Sequence, residues 1–188
     1  MRKILKIILF LNLIYSSFFI FANANEIYHK NRLEKYFVDL KNSKDLYEAI
    51  MIENNIWNLW NLHPSNKFLT NKLELGTELM ESGQHKYAYK IFSNIILEDP
   101  NWPEAWNKRA TVLFLMKDYE LSLKDIEKTL DLEPRHFGAL SGRAQIYIDR
   151  KEYQKALDNL IQTKEIYPLS KVSKVIPKLE KFLNIEEI

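Results

Sequence analysis

"PRHFGALSGRAQIYIDRKEYQKALDNLIQTKEIYP", residues 134–168, runs from one proline to the next and holds two apolar helical patterns separated by a short turn. Pro100 precedes Pro134 by the same 34 residues, so three prolines recur with a fixed period. Proline cannot donate a hydrogen bond inside a helix and usually lies just beyond a helix end. The period therefore predicts three helical units, at residues 69–102, 103–136 and 137–170.

Equivalent positions of the units carry similar side chains. In the second unit, Trp106, Ala110 and Leu113 form a stripe at i, i+4 and i+7, which is one face of a helix. A second apolar stripe follows a turn, so each unit is predicted to be two antiparallel helices. Small residues recur where the two helices would meet, namely Gly76, Ala110, Ala144, Ala88, Ser122 and Ala156. We expect them to permit a close approach that bulky residues would overpack.

The 34-residue period, the small residues, the aromatic residue after the turn and the closing proline resemble the tetratricopeptide repeat (TPR) family. The resemblance covers residues 69–170. It implies an all-α fold, a right-handed solenoid of antiparallel helix pairs whose first helices line a concave groove for a protein or peptide segment. The sequence departs from the family pattern at Lys72 and Leu140, where tryptophan is typical, and at Arg109 and Arg143, which replace a usual leucine.

The segments that flank the repeats are predicted to close the ends of the solenoid. Residues 25–68 carry two further amphipathic patterns and are interpreted as a degenerate helix pair that caps the first unit. Trp57 and Trp60 would bury the open end of that unit, since aromatic residues at helical spacing are usually core, although a platform for sugar or peptide is the alternative. Residues 171–188 are predicted to form a C-terminal capping helix, begun or kinked at Pro177.

The first 24 residues have the order of a secretory signal peptide: three basic residues, an apolar run over residues 7–21, and a small-x-small site that ends at Ala24. The run is shorter than the ~20 apolar residues that span a bilayer. We therefore expect cleavage after Ala24 and a periplasmic protein, with an uncleaved anchor in the inner membrane as the alternative. The strings EAWNKRAT and EPRHFGALSG are also similar to those of small exported bacterial TPR proteins.

Composition excludes several classes of function. Cleavage would remove three basic residues and no acidic one, leaving 24 basic against 25 acidic residues and changing the formal net charge from +2 to −1. This balance provides no electrostatic footprint for nucleic acid, and membrane contact is expected only if the leader stays uncleaved. The chain has no cysteine and its four histidines lack the spacing of a helical metal site, so no metal and no other cofactor is expected.

The candidate binding residues combine the positions that the resemblance places on the concave face with a strip that two glycines leave bare. Gly138 and Gly142 lie four residues apart, and each costs a helix about 1 kcal/mol relative to alanine. They are predicted either to pack closely on the neighbouring unit or to leave room for a partner's backbone. Asn107 and Gln145 are predicted to pair with peptide amides. The complete set is Thr77, Asn107, Thr111, Gly138, Ser141, Gly142 and Gln145.

Three functions are compatible with these patterns. The preferred one is a non-catalytic adaptor that binds a segment of a partner protein, in cell-envelope assembly or maintenance. The second is a membrane-anchored structural subunit of an envelope complex. The least favoured is an enzyme that uses Arg135 and His136, which are interpreted as exposed polar side chains at the junction between the second and third units. Trp102, at the preceding junction, is likewise predicted to be exposed.

Overall fold

A computed structural model describes residues 24–186, and every regular element in that range is helical. The predicted leader lies outside the described range except for Ala24. The predicted all-α fold of stacked helix pairs is confirmed. In chain order the elements are α1 (24–42 within the described range), α2 (Leu46–Asn61), α3 (Lys67–Glu81), α4 (His85–Glu98), α5 (Pro103–Leu115), α6 (Tyr119–Leu132), α7 (Phe137–Asp149), α8 (Tyr153–Ile166), a 3-10 helix (Lys171–Lys174) and α9 (Ile176–Glu186).

The most extensive contacts join α3 to α4, α5 to α6 and α7 to α8, and the pairs stack so that α5 lies beside both α3 and α7. Helices α5 and α7 begin at Pro103 and Phe137, the first residues of the predicted second and third units. Helix α3 begins at Lys67, ahead of the predicted start at residue 69, because the side chain of Asn66 caps its first turn.

The turn inside each helix pair repeats with the same period as the prolines. Gly83, Lys117 and Lys151 occupy equivalent positions, with φ angles of 78°, 61° and 60°. In all three turns this residue and the next donate backbone hydrogen bonds to carbonyls of the preceding helical turn, which is the Schellman arrangement. Glycine adopts this left-handed conformation without a steric cost, so the two lysines carry local backbone strain.

Replacing Lys117 with glycine is expected to raise the free energy of unfolding by about 0.5 kcal/mol, because the relief of the left-handed strain exceeds the entropy that glycine adds to the unfolded chain. Urea unfolding followed by circular dichroism measures the change. Lys124→Gly, at an exposed position inside α6, is the control and should lower the stability by about 1 kcal/mol. Equal losses in the two variants would contradict the strain at Lys117.

The predicted close approach within each pair is confirmed. Gly76 of α3 lies so near Phe92 of α4 that a Cβ atom at Gly76 would stand 2.6 Å from the Cε1 atom of the ring. In the next pair Ala110 is buried, and its carbonyl accepts a hydrogen bond of 2.8 Å from the buried hydroxyl of Ser122. The two helices of a pair therefore touch through backbone and small side chains, as the repeated small residues require.

The two arginines that replace a usual leucine link the helices of their own pairs. The Nε and Nη2 atoms of Arg109 donate to the two carboxylate oxygens of the buried Asp125, at 2.7 and 2.8 Å. One period later, Arg143 donates to Asn159. Charge-assisted bidentate bonds are stronger than neutral ones, so the second pair replaces an apolar contact with a satisfied ion pair at this position.

The N-terminal helix pair packs in a different place from the one predicted. Its apolar core is completed by Phe137 and Tyr167, which belong to the third unit. The interpretation of Trp57 and Trp60 as a cap on the open end of the first unit is therefore wrong, although both side chains do pack in a core. The amphipathic pattern indicates which face of α2 is buried, and it carries no information about the surface that buries it. The buried members from α1 and α2 are Leu33, Phe37, Leu40, Ala49, Ile52, Ile56, Leu59 and Trp60.

Helix α2 lies across the junctions between the repeat units. Near its C-terminal end, the carbonyl of Trp60 accepts a hydrogen bond of 3.0 Å from the indole nitrogen of Trp102. Nearer its N-terminal end, the carboxylate of Glu53 accepts a hydrogen bond of 3.1 Å from the hydroxyl of Tyr167. The pair α1–α2 thus connects the junction after the first unit with the end of the third.

The C-terminal segment folds onto α8. Helix α9 begins at Ile176 with Pro177 in its first turn, where the missing N–H of proline costs no intrahelical hydrogen bond. Ile176 is buried, and Leu179 and Leu183 pack beside it. Of the helices in the described range, none combines the length and the apolar character that crossing a membrane requires.

Candidate functional site

A pocket of about 170 Å³ opens between α5 and α7, the first helices of the second and third pairs. Ile126 of α6 and Ile146 of α7 contribute buried apolar surface to it, and Phe114 of α5 is half-buried beside them. The pocket is therefore an apolar depression. Its lining residues are Asn107, Ala110, Thr111, Phe114, Ser122, Ile126, Gly138, Ala139, Gly142, Gln145 and Ile146.

Most of the predicted binding residues meet at this pocket. Two of the seven lie elsewhere: Thr77 is on α3, where its hydroxyl donates to the carbonyl of Leu73, and the hydroxyl of Ser141 donates to the carbonyl of Phe137. The five that line the pocket are Asn107, Thr111, Gly138, Gly142 and Gln145. Sequence patterns do not identify Ile126 and Ile146 as pocket residues, because both are buried apolar positions that look like any other core isoleucine.

The two glycines on α7 serve different purposes. A Cβ atom at Gly138 would stand 2.5 Å from the Cη2 atom of Trp57, so Gly138 admits the indole of the chain's own N-terminal pair. A Cβ atom at Gly142 would find only the Cδ1 atom of Ile126 within 4 Å, at an ordinary contact distance of 3.9 Å. Close packing explains Gly138, whereas Gly142 opens onto the pocket.

The polar groups around the pocket are engaged in intramolecular hydrogen bonds. The amide nitrogen of Asn107, a residue that is 8% exposed, donates to the carboxylate of Glu104 at 3.3 Å. The amide nitrogen of Gln145 donates to Asp149 at 2.9 Å, and the hydroxyl of Thr111 donates to the carbonyl of Asn107 at 3.0 Å. Pairing of either amide nitrogen with a peptide would have to compete with these bonds.

Beneath the N-terminal end of α7 lies a buried polar network around Glu104 and His136, both of which are 0% exposed. The Nδ1 atom of His136 accepts the backbone N–H of Ala139 at 3.1 Å, so the ring proton resides on Nε2. Nε2 lies 2.9 Å from the Glu104 carboxylate, to which it therefore donates. The indole of Trp60 stacks on the imidazole of His136, with the two ring centroids 3.9 Å apart. His136 thus joins the α7 cap, the buried carboxylate and the N-terminal pair.

The predicted exposure of the junction residues is wrong at two positions. His136 lies under Trp60, and Trp102, which is 5% exposed, lies against the end of α2. Turns between units are usually solvated, but here α1 and α2 cover them. The imidazole of His136 is therefore enclosed by Trp60 rather than exposed beside Arg135.

Arg135 links α1 to the junction between the second and third units. Its guanidinium donates to Glu133 and, at 2.7 and 2.9 Å, to both carboxylate oxygens of Glu34. The hydrogen bonds to Glu133 and then to Glu34 raise the pKa of Arg135, against the opposing effect of burial. The hydrogen bond from Arg135 lowers the pKa of Glu34. The carboxylate of Glu34 therefore stays ionised at neutral pH, with its charge directed at the junction.

A larger groove, of about 720 Å³, runs between α1 and the junctions on either side of the second unit. Its walls include the hydrogen-bonded pair His63 and Asp99, at 2.8 Å, and the ion pair of Arg135 with Glu34. Within residues 24–186, no group of three or more histidine, aspartate and glutamate side chains is close enough to hold a metal ion. The groove is thus a second concavity that the repeat pattern does not predict.

No model of a known protein family matches the chain. A curated relative, the TPR repeat-containing protein of Rhizobium etli, is 33% identical over 144 residues, which cover 77% of this chain and 70% of the relative. Two solved structures share the fold at lower identity. The first TPR domain of Spaghetti (RPAP3), bound to an HSP90 peptide, has a TM-score of 0.59 and 18% identity over 63% of this chain and 94% of its own.

The second structure is the Yersinia enterocolitica type III secretion chaperone SycD in complex with a peptide of the translocator YopD. It has a TM-score of 0.60 and 14% identity, covering 68% of this chain and 100% of its own. The phased helix pairs and the similarity to the Rhizobium etli protein over most of both chains lead to one conclusion: this chain belongs to the tetratricopeptide repeat family.

Proposed function

We propose that this protein is a non-catalytic adaptor that binds a segment of a partner protein between α5 and α7. The observation that carries the proposal is the open, apolar pocket beside Gly142, a glycine that no internal contact requires. The solved TPR structures with an HSP90 peptide and a YopD peptide support it by showing that folds of this kind hold peptides.

A matched pair of variants tests the adaptor function. Thr111→Arg places a long cation at the exposed mouth of the pocket, while Gln162→Arg makes the same charge change at an exposed site on α8. We expect the purified protein to bind a specific partner, with loss of at least 10-fold in affinity for Thr111→Arg and no change for Gln162→Arg. Absence of any specific partner, or equal affinity in both variants, would contradict the function.

The proposal includes export and a role in assembly or maintenance of the cell envelope. Its support is the order of basic, apolar and small residues over positions 1–24. Mass spectrometry of the protein recovered from the envelope is the test: we expect a chain that begins at Asn25. A chain that retains Met1 and sediments with membranes would favour the membrane-anchored subunit instead.

A further inference from the structure

We propose that the pocket beside Gly142 is a socket for one branched or aromatic apolar side chain of the bound segment, such as leucine, isoleucine or phenylalanine. This inference rests on the adaptor function and specifies the chemistry of the partner. It replaces the expectation that the glycine strip receives a partner's backbone.

Gly142 differs from the other three glycines, because no contact and no backbone angle within residues 24–186 requires glycine there. Gly76 and Gly138 admit rings that a Cβ atom would strike, and Gly83 adopts a positive φ. Gly142 has neither constraint, and in the middle of α7 it costs about 1 kcal/mol relative to alanine. Without a side chain at this position, the pocket extends from Gly142 to Ile126, which is itself only 3% exposed.

The polar groups that line the pocket already donate to partners within the protein. The hydroxyl of Ser122 donates to the carbonyl of Ala110, and the amide nitrogens of Asn107 and Gln145 donate to carboxylates. A peptide backbone pressed into the pocket would bring N–H and C=O groups into an apolar depression, and burial without a partner is unfavourable. An apolar side chain has no such groups to satisfy.

The volume of the pocket matches one large apolar side chain. An apolar cavity of about 150 Å³ lined by aliphatic and aromatic side chains accommodates a benzene molecule. The pocket has about 170 Å³, so a side chain of the size of leucine or phenylalanine fits. Lysine or glutamate would have to bury its charge beside Ile126 and Ile146, which is unfavourable without an ionic partner.

A small-molecule titration tests the socket without any partner. Benzene is added to the purified protein while the isoleucine δ1-methyl signals are followed by NMR. The signal of Ile126 should shift saturably in the native protein and in Gly142→Ala, and should not shift in Gly142→Leu, whose side chain fills the space. The signal of Ile56, in the core of the N-terminal pair, is the internal control. An Ile126 signal that benzene leaves unchanged would overturn the socket.

A display library of random twelve-residue peptides then tests the ligand. Peptides selected on the native protein should share one large apolar residue, and its replacement by alanine should weaken binding about 10- to 100-fold. Gly142→Leu should weaken binding by a similar factor, and Gly142→Ala should leave it within twofold. Peptides that bind equally well to Gly142→Leu would refute the socket while the adaptor function stands. Failure to select any peptide contradicts the adaptor function itself.

Discussion

Replacing His136 with alanine will lower the free energy of unfolding by about 3 kcal/mol. The change removes a buried hydrogen bond to a carboxylate, which contributes about 1.5–3 kcal/mol, and the side chain that caps α7, which contributes about 1 kcal/mol. In the native protein the imidazole stacks on the indole of Trp60, with ring centroids 3.9 Å apart, and the variant would leave a cavity in its place. Urea unfolding followed by tryptophan fluorescence measures the loss.

A double-mutant cycle separates these contributions. His136→Asn can still cap α7 but is too short to reach Glu104, so it should lose less than alanine. If the hydrogen bond between His136 and Glu104 dominates, the variant His136→Ala with Glu104→Ala will be more stable than the sum of the two single losses predicts, because each single variant leaves the other member of the pair buried without that hydrogen bond. Losses that add within about 0.5 kcal/mol would show that Glu104 and His136 act independently.

Replacing Gly138 with alanine will lower the free energy of unfolding by about 1–3 kcal/mol, the usual range for an overpacked core. The same substitution at Gly142 will raise it by about 0.5–1 kcal/mol, because alanine has the higher helix propensity and meets no atom closer than 3.9 Å. Gly138 lies in the first turn of α7 and Gly142 in its interior, so the gain from helix propensity is greater at Gly142, and the loss expected at Gly138 reports the contact with Trp57. Thermal and urea unfolding of the two variants provide the comparison.

Replacing the indole of Trp57 with a smaller ring will show whether its contact with Gly138 causes the loss of stability. In the Gly138→Ala background, Trp57→Phe should recover part of the lost stability, since the Cη2 atom that stands 2.5 Å from the added methyl position is absent from phenylalanine. In the native background the same change should only destabilise, by removing apolar contact area. If Gly138→Ala proves as stable as Gly142→Ala, Trp57 does not rest on Gly138 in solution.

The stacked helix pairs could be predicted from the sequence because the residues that indicate each pair lie close together in the chain. The prolines and the small residues at Gly76, Ala110 and Ala144 define the phase, and the phase fixes which side chains face the neighbouring unit. The surface on which α1 and α2 pack could not be predicted in this way. It depends on pairs such as Arg135 with Glu34, which are 101 residues apart, and an amphipathic pattern does not name its partner surface.

The difference between local and long-range contacts also explains which features of the site could be predicted. The resemblance to the TPR family predicts Asn107, Thr111 and Gln145 on the concave face, and the spacing of the glycines adds Gly142; these four residues line one pocket. The burial of His136 was not predicted, since its position in a turn indicates exposure unless another element covers the turn. Here that element is the N-terminal helix pair, whose Trp60 stacks on His136.

The placement of α2 has a consequence for how the chain folds. Units of a solenoid contact mainly their neighbours and can form one after another, but here Glu53 must find Tyr167, 114 residues later in the chain. The N-terminal pair is synthesised first, and the surface that buries it is completed last. Such distant contacts slow folding, and they tie the ends of the array into one cooperative unit. A chain interrupted before Tyr167 would leave the core of α1 and α2 with Phe137 but without Tyr167 and its hydrogen bond to Glu53.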